Sequence, residues 1–314
     1  MTERAPDGSR RVGRASRPTR RGGLSPALFV RAFKRYREHE MTDRAAALTY
    51  FAMMALFPTL LVGVTLLGLF GEQGLVQDAT NYLLEHGADA DTARVVRNAL
   101  QNVINASGGA LGITLVVSLA LALNGASGAF GAAGRALNVV YEVKDDRGFV
   151  RRKLTDLAAT LVVIVLFAVV LAAIFLGGQI ARDLFGKIGL GDTAASIWSY
   201  VRWPVALIAA MLAYGLVYRV APDIRPPPVR WITPGAVVGV VLWILLSAGF
   251  AVYVRNFATY GAAYGAFGAA IVLLLWLYLS ANAFLFGAEL NAELQRAARG
   301  GQAEDSSRSV SSGG

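Results

Sequence analysis

The 314-residue sequence contains no cysteine and only two histidines, His39 and His86. Without cysteine, disulfides, zinc–thiolate sites and thiol nucleophiles are excluded. Charged residues make up only 16% of the chain, against about 25% in soluble proteins. The sequence also lacks a Gly-rich loop of the kind that cradles nucleotide phosphates. We therefore expect no ATP hydrolysis and no bound cofactor.

Apolar residues instead make up 55% of the chain. Several apolar runs exceed the roughly 18 residues that cross ~30 Å of hydrocarbon. The sequence therefore predicts an all-α, polytopic membrane protein with six transmembrane helices. We place these spans near residues 45–70, 110–133, 154–177, 203–221, 235–255 and 266–288.

The regions outside the spans differ in composition. Residues 1–23 mix Arg, Ser, Pro and Gly, which is typical of a disordered basic arm. Residues 24–40 alternate apolar and basic residues at helical spacing, which predicts an amphipathic interfacial helix on anionic lipid. Packing of this helix against a protein partner is the alternative. Residues 41–295 form the transmembrane domain, and residues 296–314 are predicted to be a disordered cytoplasmic tail.

Basic residues are distributed unevenly between the two sides of the predicted bundle. Of the 30 lysines and arginines, 24 lie in the two terminal regions and in the connections after the second and fourth spans. The other connections hold six, and one of them, residues 71–109, is a long and partly helical outer loop. Because positive residues remain on the cytoplasmic side, we expect both termini in the cytoplasm.

Four stretches carry a resemblance to a known family. They are "RAAALTYFAMMALFPTLL" (44–61), "GRALNVVYEV" (134–143), "YRVAPDIRPPPVRWITPGAVV" (218–238) and "YGAFGAAIVLLLWLYLSANAFLFGAELNAEL" (264–294). In order and spacing they resemble the YihY/BrkB family of bacterial inner-membrane proteins. The resemblance implies a six-helix protein of the bacterial inner membrane, for which transport is often proposed. Members have also been labelled ribonuclease BN.

The residues do not favour the nuclease label. A metal-dependent nuclease needs clustered His, Asp or Glu ligands, and the predicted topology places the two histidines on opposite sides of the membrane. The acidic residues near 142–156 lie among arginines and lysines, which is typical of a salt-bridged loop. We expect a non-enzymatic protein with no metal site and no specific nucleic-acid partner.

Polar residues inside the spans are the main functional signal, because intramembrane polarity is costly. Asn124 and Ser127 lie in a glycine-rich part of the second span. This part of the span either serves close helix packing or forms the wall of a cavity. Trp243 and Trp276 fall near mid-membrane, where they either pack in the core or line a path. Pro58 is a candidate hinge in the first span. Tyr264 belongs to a candidate outer gate.

The last span carries the densest polarity, at Asn282, Glu289, Asn291 and Glu293. Asn282 and Glu289 are seven residues apart and share a helix face. Two glutamates at a helix C-terminus need compensation, and we expect it from Arg44, Arg135 or Arg219. Glu289 is then either half of a structural Glu–Arg pair or a cation- or proton-binding carboxylate.

The sequence names no substrate. The favoured hypothesis is a transporter or a lipid- and amphiphile-handling protein, because amides and aromatic residues, rather than charges, occupy the middle of the spans. A structural or scaffolding membrane protein is the alternative. Membrane lipids are the expected partners, with anionic lipid at the basic N-terminal helix, and a homo-oligomer stays open.

Overall fold

The structure is a computed structural model that describes residues 25–70, 108–175, 191–224, 232–257 and 259–311, together with isolated positions in 77–101 and 181–186. Within these residues the chain is helical, with no strand. The helices are α1 (Pro26–Glu38), α2 (Met41–Phe70), α3 (Gly108–Val140), α4 (Phe149–Phe175), α5 (Gly191–Val220), α6 (Pro234–Phe257) and α7 (Thr259–Ser311). The predicted all-α class is confirmed.

Five helical segments are long and apolar enough to cross a membrane. They are Gly112–Val140, Phe149–Ile174, Thr193–Val220, Pro234–Arg255 and Ala270–Arg299. The remaining predicted span, 45–70, lies in α2, whose side chains beyond residue 62 are not described. The count of six spans therefore stays a prediction. The arm 1–23 and most of the outer loop 71–109 lie outside the described residues, although the isolated loop positions are helical.

The first helix folds back onto the last one. Pro26 occupies the first turn of α1, and the helix ends in a tight corner at His39 and Glu40 before α2 begins. Its buried residues, Leu28 and Ala32, pack on Leu290 of α7. The opposite face stays exposed, so α1 has a protein-facing side and an exposed side. The predicted contact of this helix with lipid stays a prediction.

The remaining helices pack in neighbouring pairs. The closest partners are α2 with α3, α6 with α7, and α4 with α5, and α7 also contacts α2. Glycines permit several of these approaches: a Cβ on Gly125 would lie 3.0 Å from the backbone of Ala55, and one on Gly134 would lie 2.9 Å from the carbonyl oxygen of Ala221. These two glycines of α3 therefore serve helix packing.

The largest buried cluster lies at one end of the bundle. It joins α1, α2, α3, α4, α5, α6 and α7 through residues such as Tyr36, Leu137, Tyr218 and Leu285. Large apolar side chains elsewhere point outward, as Val165 and Phe167 do on α4. An apolar outer surface around an apolar helix is what contact with lipid requires.

The last helix is longer than the sequence predicts. We expected a disordered tail from residue 296, whereas α7 continues as a helix to Ser311. The sequence around the predicted boundary, AELQRAAR, is rich in strong helix formers. An ion pair between Glu293 and Arg296, three residues apart, adds local support.

Candidate functional site

The polar stretch of α7 lies within the bundle end rather than on its surface. Glu289 is fully buried, and Asn291 and Glu293 are 5% and 6% exposed. They are held there because α7 contacts α1, α2, α3 and α6 along this segment. Burying two carboxylates costs free energy unless each has a partner, so their partners define the site.

Glu289 pairs with a histidine that comes from the corner between α1 and α2. Oε1 of Glu289 lies 2.5 Å from Nδ1 of His39. The backbone carbonyl of His39 accepts a hydrogen bond from the Arg44 guanidinium, which fixes the corner. The second oxygen of Glu289, Oε2, is buried and has no partner among the described residues. An unpartnered buried carboxylate oxygen is rare in folded proteins.

Two amides flank this pair and bind tyrosines. The Tyr36 hydroxyl donates to Oδ1 of Asn282, whose Nδ2 donates to the Tyr278 carbonyl. The Asn291 amide donates to the Tyr141 hydroxyl at 3.0 Å. Burial raises the pKa of Tyr141 to about 12, with the Asn291 hydrogen bond acting in the opposite direction. Burial also raises the pKa of Tyr36, so both tyrosines stay neutral at physiological pH.

Arginines neutralise the second buried carboxylate. Glu293 lies 2.7 Å from Arg296 and 3.3 Å from Arg31, with Arg35 at 3.9 Å. Arg296 and Arg35 also reach Glu142, at the end of α3. We call Glu142, Glu289 and Glu293, with these basic partners and His39, the carboxylate cluster.

Two of the predicted partners of the glutamates, Arg44 and Arg135, do not pair with them. Arg44 contacts the backbone of His39, and Arg135 lies over the Phe51 ring at 5.8 Å. Neither pairs with Glu289, and the compensation comes from α1 and from α7 itself. The reason is that α1 packs on α7, which brings the first helix next to the last.

An open polar pocket borders the cluster. It has a volume of about 510 Å³, and Arg35, Glu142, Asp223, Arg296 and Arg299 contribute its charged lining. Glu142 is half exposed there. The pocket therefore gives water access to the edge of the cluster, while Glu289 stays buried.

A separate apolar cavity lies between the helices and opens to the outside of the bundle. Its volume is about 310 Å³, and five helices line it through side chains such as Ala55, Phe130, Val163, Val217 and Phe284. Among the described residues that line it, only Thr160 is polar, and its hydroxyl donates to the Asp156 carbonyl. The cavity thus suits a hydrocarbon group.

The other predicted site residues are scattered. The Trp243 and Trp276 rings lie 6.3 Å apart, and each indole N–H donates to a serine, Ser280 and Ser247 respectively. These tryptophans therefore face each other across α6 and α7. Pro58 lies inside α2. None of these residues joins the carboxylate cluster.

Three predicted positions on other parts of the chain also lie apart from the cluster. Ser127 is buried on α3, and its hydroxyl has no partner among the described residues. Asn124, one turn earlier, is exposed. The side chain of Tyr264 lies outside the residues whose side chains the structure describes. Of the predicted candidates, the structure brings together only Asn282, Glu289 and Asn291.

His39 was not among the predicted site residues. A signal was present, because Leu28, Ala32, Tyr36 and His39 follow each other at spacings of four, four and three residues. That spacing places all four on one helical stripe. A histidine on the buried stripe of an amphipathic helix needs a polar partner, and here the partner is Glu289.

Backbone strain also concentrates at the cluster. Among the described residues, the non-glycine residues with positive φ are Glu40 (φ 49°) and Glu142 (φ 56°). Glycine is favoured in this region of backbone space. Glu142 lies in the turn that follows α3, where the Val143 N–H donates to the Asn138 carbonyl. A glutamate at this position supplies the carboxylate that Arg35 and Arg296 bind.

Comparison with known proteins gives a consistent result. A family profile described as virulence factor BrkB matches residues 32–311. The ribonuclease-like protein YfkH of Bacillus subtilis is 32% identical over 265 residues, which cover 84% of this chain and 94% of YfkH. A UPF0761 membrane protein of Alteromonas mediterranea is 30% identical over 288 residues, covering 90% of this chain and 92% of that protein. No solved structure matches the chain.

Proposed function

The chain belongs to the virulence factor BrkB family of membrane proteins, and on that premise we propose that it moves a lipid or another amphiphile across the bacterial inner membrane. It does so as a transporter that does not hydrolyse ATP, with both termini in the cytoplasm.

The observation that carries the proposal is the open apolar cavity between the helices. Ala55, Val163 and Phe284 contribute to its lining from three different helices. A hydrocarbon chain loses no hydrogen bonds on entering such a space, because bilayer hydrocarbon is equally apolar. A small polar solute would lose its hydrogen bonds to water there, so the space selects an acyl chain or a similar group.

The polar pocket supports the same assignment. Arg296 and Arg299 offer cations, while Glu142 and Asp223 offer carboxylates. Arginines bind phosphate oxygens well, and a carboxylate accepts hydrogen bonds from an amine. Phospholipid head groups carry such groups, so a head group fits the polar pocket and a chain fits the apolar cavity.

A nuclease is the weaker assignment for this chain. The name of YfkH contains the words ribonuclease-like, but within the described residues no three His, Asp or Glu side chains form a metal-binding group. The carboxylates near residue 145 are engaged by arginines: Asp145 pairs with Arg147 and Arg152. Nuclease chemistry needs acidic ligands that are available to a metal.

Lipid translocation in proteoliposomes tests the proposal. The purified full-length protein is reconstituted with a fluorescent anionic lipid whose head group can be quenched from outside. With the wild-type protein, we expect the fluorescent lipid of the inner leaflet to become accessible to the quencher. In empty liposomes, that lipid should remain protected from the quencher. Ala129→Phe, which adds a ring to the wall of the apolar cavity, is expected to slow translocation at least tenfold.

The matched control is Ala120→Phe, which adds the same ring to an exposed position of the same helix. We expect it to translocate lipid as the wild type does. Absence of translocation by folded wild-type protein contradicts the proposal. Equal translocation rates for Ala129→Phe and Ala120→Phe would show that the apolar cavity is not part of the lipid path.

A further inference from the structure

The pair of His39 and Glu289 holds at least one proton. A separation of 2.5 Å between Nδ1 and Oε1 requires a hydrogen between two atoms that otherwise present only lone pairs to each other. Either the histidine donates from Nδ1 to a carboxylate, or a carboxylic acid donates to Nδ1. The pair is therefore a site where one proton has two alternative positions.

The other face of the histidine leads toward water. Nε2 of His39 lies 4.0 Å from Oε1 of Glu142, a gap that one water or a rotation of the half-exposed Glu142 side chain closes. Glu142 lines the polar pocket, whereas Glu289 does not. His39 thus stands between a water-accessible carboxylate and a buried one.

We propose that Glu289 is a proton-binding site that is loaded from the polar pocket through Glu142 and His39. The buried, unpartnered Oε2 of Glu289 supports this assignment independently of the distances. A carboxylate that served only as a structural ion pair would have both oxygens satisfied, whereas a carboxyl group that alternates between charged and neutral forms cannot have permanent donors on both.

The transfer balances in two steps. Glu142 takes a proton from a hydronium ion in the pocket, which becomes water, and passes it to Nε2 of His39, which becomes an imidazolium. The bond between Nδ1 and its hydrogen then breaks, and that proton passes to Oε1 of Glu289. The result is one proton moved from the pocket to Glu289, a neutral His39 with its proton on Nε2, and an ionised Glu142.

The surroundings set the balance between the two forms. From α1 and the corner, Tyr36 and His39 face Glu289, from the end of α3 the neutral Tyr141 does, and along α7 Glu293 and Arg296 do. Glu293 and Arg296 carry opposite charges and pair with each other, and Glu293 also pairs with Arg31. His39 is the titratable group in direct contact with Glu289.

Difference infrared spectroscopy of the full-length protein in lipid tests the site. Stepping from about pH 8 to about pH 5, the range in which histidine titrates, should produce a carboxylic-acid carbonyl band that shifts in D₂O. We expect Glu289→Gln to lack this band. Glu142→Gln should retain it at equilibrium but form it at least tenfold more slowly after a pH jump. Glu38→Gln, which removes an exposed carboxylate of α1, should match the wild type in both respects.

If the carboxylic-acid band persists in Glu289→Gln, the proposal is overturned. If the band forms in Glu142→Gln as fast as in the wild type, the route through Glu142 is overturned. Should Glu289→Gln fail to fold, nitrogen NMR on the His86→Gln variant reports His39 alone, because the chain has two histidines. The proton should move from Nδ1 to Nε2 on acidification, and an imidazolium throughout contradicts the proposal. Neither measurement involves lipid movement, so its outcome is independent of the proposed transport.

Discussion

At the residue scale, Arg147 binds two parts of the chain to each other. Its guanidinium donates to both carboxylate oxygens of Asp145 and to the carbonyls of Val220 and Ala221 at the end of α5. These carbonyls are among the groups that a helix end leaves unpaired. A cation at this end also interacts favourably with the helix dipole. One side chain therefore joins the α3–α4 connection to α5.

The same contact makes part of the stability depend on pH. Hydrogen bonds from Arg147 hold the pKa of Asp145 below its ordinary value. A lowered pKa in the folded state gives stability that is present above the unfolded-state pKa of about 3.9. That stability is lost as the pH falls through the folded-state pKa.

We predict that Asp145→Asn destabilises the protein at neutral pH by about 1.5–3 kcal/mol, the range for hydrogen bonds to charged groups. Thermal unfolding in detergent at a series of pH values measures this. The difference between variant and wild type should shrink below about pH 4. Asp146→Asn, which changes the exposed neighbouring carboxylate, should follow the wild type. A constant difference at all pH values would contradict the assignment.

At the scale of helices, α6 and α7 cross at glycines. A Cβ on Gly287 would lie 2.6 Å from the carbonyl oxygen of Gly235 and 2.9 Å from Cα of Gly239. Those neighbours are backbone atoms, which cannot turn aside as a flexible side chain can. The spacing of Gly235 and Gly239, four residues, is that of small residues at membrane helix interfaces.

Gly287→Ala is therefore expected to destabilise the folded protein by about 1–3 kcal/mol through overpacking. The measurement is the midpoint of thermal unfolding in detergent. Gly249→Ala on α6 is the matched control, because a Cβ there meets nothing within 4 Å. It should be neutral, or stabilise by up to about 1 kcal/mol through helix propensity. Equal effects of the two substitutions would mean that the crossing tolerates a methyl group.

Local patterns predicted the helices better than their ends. The apolar runs predicted the positions of the helices because each run is long and continuous, which is the strongest local signal for a membrane helix. The end of α3 escaped prediction, since Glu142 stands where glycine is expected. The extension of α7 escaped as well, because Arg296 binds the Val140 carbonyl and Glu142, which are distant in the sequence.

The candidate site could be predicted only in part for the same reason. Polarity in an apolar helix identified Asn282, Glu289 and Asn291, which cluster as one site in the structure. Their partners Tyr36 and His39 are about 250 residues away in sequence, and no periodicity in a single sequence relates such positions. Predicting these partners would have required knowledge that α1 packs on α7.

At the scale of the whole molecule, charge is concentrated at one end of the bundle. The carboxylate cluster, the polar pocket and the Asp145–Arg147 contact all lie where α1, the end of α3 and the end of α5 meet. Position 196, near the start of α5, is 24 residues from Val220, or ~36 Å at 1.5 Å per residue. That distance exceeds the ~30 Å thickness of the hydrocarbon layer.

The two ends should therefore lie on opposite sides of the membrane, and the excess of basic residues predicts that the charged end is cytoplasmic. Because the chain has no cysteine, single substitutions report this directly. We expect Ser196→Cys to react with a membrane-impermeant thiol reagent in intact spheroplasts, and Lys34→Cys on the exposed side of α1 to react only after permeabilisation. The reverse pattern would invert the orientation. It would also place the polar pocket, and with it the proton entry through Glu142, on the outer side of the membrane.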